Sequence, residues 1–250
     1  MNVFKKLFKQ TFIYGLATVL PRALAIFLVP LYVLVLGKEQ FGVYASLMAF
    51  LILGNVLLSY GMETAFFRFI NKEDYKKEKT QSTALTSLTI STLIFLVLTL
   101  SLKTEMSIFL NFHVDFIIYG LLILALDALV VIPFVWLRTN EKSSRYAIIK
   151  IVNVCINLSF NLFFFLVLPL WAKDTNNSFW DAINLEEGKV AYVFISNLIA
   201  SSITFIMLLP LYFKIKFSFD INIWKQMMKY ALPVLIAGIA FSINEAFDKI

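Results

Sequence analysis

Polar residues recur at helical spacing inside stretches otherwise built of leucine, isoleucine, valine and phenylalanine. One row is Lys150, Asn153, Asn157 and Asn161, three or four positions apart, a spacing that places side chains on one helix face. A second is Asn55, Ser59 and Glu63, with Arg68 just beyond, and a third is Asn197, Ser201 and Thr204. Thr18 stands four residues before Arg22, and Asn244, Glu245 and Asp248 end the last apolar stretch. Taken singly, each carboxamide or hydroxyl suits a hydrogen bond that glues two helices together. Several such rows in one small bundle suit something more: a shared, water-accessible face that can donate and accept hydrogen bonds to a sugar-like or otherwise polar cargo.

Two ionisable groups lie deeper. Arg22, beside Pro21, and Asp127 each sit about halfway along an apolar stretch, where a charge is expensive and faces a bundle interior or a wet cavity. Two readings stand side by side. One is a structural ion pair between them; the other is contact with a substrate or a coupling ion, for which Asp127 and Glu63 are the candidates. Enzyme chemistry finds no support: the sequence has no G-x-x-x-x-G-K-[ST], no H-E-x-x-H and no G-x-S-x-G, so phosphate-loop, zinc-protease and serine-hydrolase readings fall. With Cys155 the one cysteine and His113 the one histidine, neither an internal disulfide nor a cysteine- or histidine-rich metal site is expected. No cofactor is expected either.

These residues need elements that hold them in an apolar surround. The chain is 60% hydrophobic and 15% charged, against roughly 45–50% and about 25% in soluble domains, and its mean hydropathy is +0.82. Lipid is the solvent such a surface calls for. Roughly 20 apolar residues make one helical crossing. On that measure seven stretches qualify: Thr11–Leu36, Phe41–Met62, Thr83–Leu102, Asp115–Leu137, Tyr146–Leu170, Val190–Phe213 and Met227–Ile250. The expected fold is therefore an all-α integral membrane protein. Lys5, Lys6 and Lys9 followed by an apolar run imitate a signal peptide, but the run carries Arg22 and continues to Leu36, so an uncleaved first span is expected. The Phe163-Phe164-Phe165 run reads as lipid-facing bulk.

Charge orients the spans. One side collects Lys5, Lys6 and Lys9, then Arg68, Lys72, Lys76, Lys77 and Lys79, then Arg138, Lys142, Arg145 and Lys150, then Lys214, Lys216, Lys225 and Lys229. The other side has only Lys38, Lys103, Lys173 and Lys189, and its longest connection, Trp171–Lys189, is acidic. The basic side belongs in the cytoplasm, and the N-terminus with it. The net charge of +6 is thus a topology signal with some attraction to anionic membrane lipids, and no nucleic-acid partner is expected. Lys9-Gln10, Tyr14 and Leu16 recur as Lys225-Gln226, Tyr230 and Leu232, 216 residues later. Six helices separate the two copies, which makes this a parallel repeat. It predicts a six-helix N-terminal lobe over residues 1–213 and the start of a second lobe over 214–250, with the remainder of that lobe expected beyond Ile250.

The stretch from Leu36-Gly37 through Phe41-Gly42 to Tyr44, the Gly61-to-Arg68 segment with Ala65, and Tyr230-Ala231-Leu232-Pro233 followed by Asp248-Lys249 resemble patterns of the polysaccharide and O-antigen exporters. These are lipid-linked oligosaccharide flippases of the multidrug/oligosaccharidyl-lipid/polysaccharide superfamily. Ala231 stands where that family usually has glycine, and Lys249 where it has arginine. The resemblance implies two lobes in the manner of the multidrug (MATE-like) transporters around a central cavity. It implies, too, a flippase that carries undecaprenyl-pyrophosphate-linked oligosaccharide across the bacterial cytoplasmic membrane for polysaccharide or lipopolysaccharide synthesis. It makes Arg22 the first candidate for the pyrophosphate, with Arg68 and Lys150 near the cytoplasmic mouth as further ones. A cation-coupled multidrug antiporter of the same superfamily is the alternative.

Overall fold

The computed structural model describes residues 3–174 and 188–247; side chains of residues 1–7, 9–10, 18, 21–25, 172–187 and 245–250 lie outside the description, and with them those of Arg22, Glu245 and Asp248 and most of the 171–189 connection. Among the described residues every regular element is a helix. They run α1 (Val3–Ser59), α2 (Met62–Ile70), α3 (Lys77–Ser101), α4 (Lys103–Leu110), α5 (Val114–Thr139), α6 (Ser143–Leu162), a π-helical turn (Phe163–Val167), α7 (Leu168–Asp174), α8 (Val190–Tyr212) and α9 (Ile221–Phe247).

Six helical runs are long and apolar enough to cross a membrane: Ile26–Ile70, Lys77–Ser101, Val114–Thr139, Ser143–Trp171, Val190–Tyr212 and Ile221–Asn244. The sequence predicts seven separate spans. The difference lies in the first run, which joins the first two expected stretches. A straight 57-residue helix would reach about 86 Å, nearly three hydrocarbon thicknesses. It is not straight. Gly37 has φ 70 and ψ 175, a backbone region essentially closed to residues with a Cβ. The rings of Tyr32 and Tyr44 meet at 5.0 Å across it, although 12 helical residues would separate them by about 18 Å. The chain therefore doubles back at Gly37, and α1 has two limbs, residues 3–36 and 38–59.

The distribution of side chains is that of a protein in oil. Large apolar residues stand outward, among them Phe27, Leu34, Val97, Ile236 and Phe241, while Thr83, Thr92, Asn161, Ser196, Ser201 and Thr204 are buried. In water the outer residues would form apolar patches too large for a soluble surface; in lipid they are the solvated face. The Phe163–Phe165 run departs from its expectation as lipid-facing bulk. Phe165 is buried and Phe164 stacks on Tyr192 at 4.8 Å, because the π turn rotates the run toward α8.

Helix α5 is the hub: it packs on α1, α2, α3, α4, α6 and α8. Helix α9 packs on α1, α2 and α3. Asp220 caps it, accepting from the backbone N–H of Asn222 and Ile223 at 3.0 and 3.2 Å, the usual service of an aspartate before a first turn. The segment leading into α9 is tied to the start of α3. Ser82 Oγ accepts from Ser218 N at 2.6 Å, Thr83 Oγ1 accepts from Asp220 N at 3.1 Å, and Trp224 Nε1 donates to Ser87 Oγ at 2.9 Å. Farther along, Gly61 with φ +72 lets the α1–α2 turn meet the α9 backbone: a Cβ at Gly61 would lie 2.4 Å from the Ala231 carbonyl oxygen.

Two glycines therefore carry the shape. Gly37→Ala and Gly61→Ala are each expected to destabilise the folded protein by about 1–3 kcal/mol, the cost of forcing a side chain into such backbone regions. Gly15→Ala, where a Cβ would meet nothing within 4 Å, is the control expected to change little. Thermal unfolding midpoints in detergent read all three.

Candidate functional site

The polar rows converge. A cavity of about 390 Å³ lies among the second limb of α1, α2, α5, α6 and α8, and is lined by Asn55, Ser59, Glu63, Asp127, Lys150, Asn153, Asn197, Ser201 and Thr204 together with Phe134, Arg138 and Tyr146. Helical periodicity explains why. Asp127, Val130, Val131, Phe134 and Arg138 fall at i, i+3, i+4, i+7 and i+11 of α5, and Tyr146, Lys150 and Asn153 at i, i+4 and i+7 of α6, so each set forms one stripe.

Inside the cavity the groups differ in how well they are held. Asp127 accepts a hydrogen bond from Ser201 Oγ at 2.8 Å, and Asn55 lines the same cavity. Asn153 Nδ2 donates to Thr204 Oγ1 at 2.9 Å. At one end Arg138 Nη1 pairs with Glu63 Oε1 at 3.1 Å, both side chains about half exposed. Tyr146 wedges edge-on between Tyr14 and Phe134, each at 5.3 Å. Lys150 is different: its Nζ sits 4.4 Å from the centre of the Phe134 ring, and among the described residues no carboxylate lies within 4.0 Å of it. A cation–π contact offsets part of the cost of an ammonium at that depth, and Asp127 and Glu63 act on it through their charges from beyond contact distance, but among the described residues its three N–H donors make no hydrogen bond.

A smaller chamber of about 300 Å³ adjoins this cavity. Asn153 and Asn197 line both, and Leu28, Tyr32, Tyr44, Met48 and Asn157 complete the smaller one. Beyond it Asn161 is fully buried, accepting from the Tyr32 hydroxyl at 2.9 Å and donating to the Asn157 carbonyl at 2.8 Å. Asn161 thus ties α6 to the first limb of α1, the interhelical bond a lone asparagine suggests.

The structure brings together Asn55, Ser59, Glu63, Asp127, Lys150 and Asn153, and places Asn157 in the adjoining chamber. It sets Arg68 apart. That side chain is exposed and its guanidinium lies 4.3 Å over the Tyr230 ring, so it braces α9 rather than facing the cavity, because α2 turns the i+5 position from Glu63 to the helix's other side. Arg22 lies on α1, its side chain outside the described residues. The hydrogen-bond partner of Asp127 given above is the Ser201 hydroxyl. Arg138 and Tyr146 escaped the sequence reading: Arg138 was counted only as a topological cation. Its signal was there, since 11 residues from Asp127 is three helical turns.

A family profile described as polysaccharide biosynthesis protein matches residues 7–250. The chain belongs to that family, the family of the polysaccharide and O-antigen flippases it resembles in sequence. No curated protein and no solved structure matched.

A water-filled cavity makes a checkable demand. In a Cys155→Ser background, Ser59→Cys, Asn197→Cys and Ser201→Cys are expected to react with a charged, water-soluble thiol reagent at least tenfold faster than Ile94→Cys and Val97→Cys on the outer face of α3. Equal rates at the two sets would mean that the cavity is dry.

Proposed function

We propose that this membrane protein of polysaccharide biosynthesis flips an undecaprenyl-pyrophosphate-linked oligosaccharide across the bacterial cytoplasmic membrane, taking it from the leaflet on the basic, N-terminal side. The observation that carries this reading is Lys150, which among the described residues has no carboxylate within 4.0 Å, in a cavity that it shares with Arg138 and with a row of carboxamides and hydroxyls. An ammonium and hydrogen-bonding amides match a substrate that joins an anionic head to sugars. The isoprenoid tail needs no cavity, because it can stay in the surrounding lipid.

Lys150 takes the pyrophosphate first. Arg138 is the second cation, exchanging Glu63 for phosphate oxygens, which a guanidinium engages bidentately. Arg22 is retained as a third on the family resemblance alone. In a cell that is negative inside, outward movement of an anionic head is favoured by about 2.3 kcal/mol per charge for each 100 mV, so ATP is not required. The segment from residue 214 onward is read as the beginning of a second lobe, and rocking of that lobe against residues 1–213 would expose the cavity to alternate sides. Asp127, held by Ser201 at 2.8 Å, is the candidate for a coupling ion. That carboxylate also favours the second reading, a cation-coupled drug antiporter. A cationic cargo would, however, share its cavity with Lys150 and Arg138, which sets that reading behind the first.

Lys150→Gln is expected to make cells accumulate lipid-linked oligosaccharide on the cytoplasmic leaflet to the level of a deletion strain, at normal protein abundance, with Lys150→Arg retaining most transport. Leaflet-specific labelling of the lipid-linked sugar measures this. A deletion strain that accumulates nothing would remove the flippase reading and turn attention to the antiporter.

A further inference from the structure

The smaller chamber has a chemistry of its own. Among the described residues the Asn197 carboxamide has no hydrogen-bond partner, although it stands two turns into a membrane helix and lines both spaces. Asn157, which lines the chamber, spends its side-chain oxygen on Asn161 Nδ2 at 3.0 Å, and among the described residues its own amide N–H groups have no partner. The Tyr44 hydroxyl likewise has no partner among the described residues, and its ring stands edge-on to Tyr32 at 5.0 Å. Tyr32 itself is 3% exposed and has given its hydroxyl to Asn161. An unpartnered polar group out of bulk water costs on the order of 1–3 kcal/mol unless something meets it. Three such groups around one space, with no charge among its lining residues, describe a site for a neutral ligand rich in hydroxyls.

We infer that the chamber bounded by Tyr44, Asn157 and Asn197 is a sugar subsite, which receives the saccharide unit next to the pyrophosphate while the larger cavity receives the phosphates. The inference rests on the flippase reading above and deepens it. Division of labour follows from the lining. Lys150 and Arg138 lie only in the larger space, and Asn153 and Asn197 form the border where phosphate gives way to sugar. Carboxamides donate and accept at once, as sugar hydroxyls do, and the half-buried Tyr44 ring offers an apolar edge with a polar tip. About 300 Å³ is at the small end of ligand pockets, which suits one unit of the chain rather than all of it. The chamber, unlike the anionic site, would distinguish one saccharide from another.

Two probes separate the two spaces: undecaprenyl pyrophosphate without sugar, and lipid-linked oligosaccharide purified from the protein's own host. Binding of each is measured to the native full-length gene product in detergent. The unmutated protein is expected to bind the sugar-bearing lipid at least tenfold more tightly. Asn157→Leu, close in shape but unable to hydrogen-bond and lining only the smaller chamber, should erase that preference while leaving the affinity for undecaprenyl pyrophosphate within about twofold; the retained affinity is also the check that it folds. Tyr44→Phe, which removes one oxygen, should cost about threefold to tenfold on the sugar-bearing lipid alone. Lys150→Gln should weaken both probes alike. A wild-type protein that binds both lipids equally, or Asn157→Leu and Tyr44→Phe variants that hold undecaprenyl pyrophosphate normally and keep the full preference for the sugar-bearing lipid, would overturn the subsite and leave the anionic site standing. Binding of neither lipid by the unmutated protein would instead sink the flippase reading, and the subsite with it.

Discussion

Hydrocarbon cannot accept or donate a hydrogen bond, and the molecule is arranged around that constraint. Every backbone amide within the bilayer must be paired inside its own element, which leaves helices as the elements used. Side chains obey the same rule with more freedom. A serine or threonine can return its proton to the carbonyl four residues back, as Ser196 does to Tyr192 at 2.7 Å and Thr204 to Ala200 at 2.9 Å. Asparagine can bridge two helices, as Asn161 does with Tyr32. Asn197 and Lys150, which among the described residues do neither, stand where helices part and a cavity opens, whereas Thr86, Thr89 and Thr92 of α3 lie away from it with buried hydroxyls that meet no partner. The cavity is thus the complement of the lipid face: what lipid will not solvate has been turned inward and left available.

Holding that interior open requires a rigid frame, and backbone proximity supplies it. The reversal at Gly37 returns the second limb of α1 beside the first, bringing Tyr44 against Tyr32 and placing Asn55 and Ser59 across from α5. The close approach at Gly61 and the serine and threonine ties from α3 fix α9 against that limb from outside. Arg68 takes part by lying on Tyr230. A cation near a membrane helix end need not face cargo; here an exposed arginine finds an aromatic face on the neighbouring helix and braces an interface that any rocking motion would have to preserve or break.

Much of the fold was legible because a bilayer imposes a coarse and strict code. Length and hydropathy alone located the helical crossings, and alternating lysine-rich connections implied a topology with an even beat. The polar rows were legible for a related reason: an asparagine in a membrane helix is costly enough that its spacing carries information. What misled was local. The Gly37 turn is so tight that two expected spans form one helical run. The triple phenylalanine looks like lipid-facing bulk until a π turn rotates Phe165 inward. Arg138 looks like a topological cation until its register with Asp127 is counted.

By itself the sequence determined that this is a multi-pass membrane protein, roughly which stretches are long and apolar enough to cross, and which polar residues share a helix face; each of these follows from composition and periodicity along one chain. Tertiary structure decided which faces meet. Nothing in the spacing of Asn55, Lys150 and Ser201 states that α1, α6 and α8 present them to a single space, or that Asn161, one turn beyond Asn157 on the same row, is spent on a tyrosine 129 residues away. Those outcomes depend on crossing angles, on side-chain volumes between helices and on two glycine backbones, and they exist only once the helices have packed.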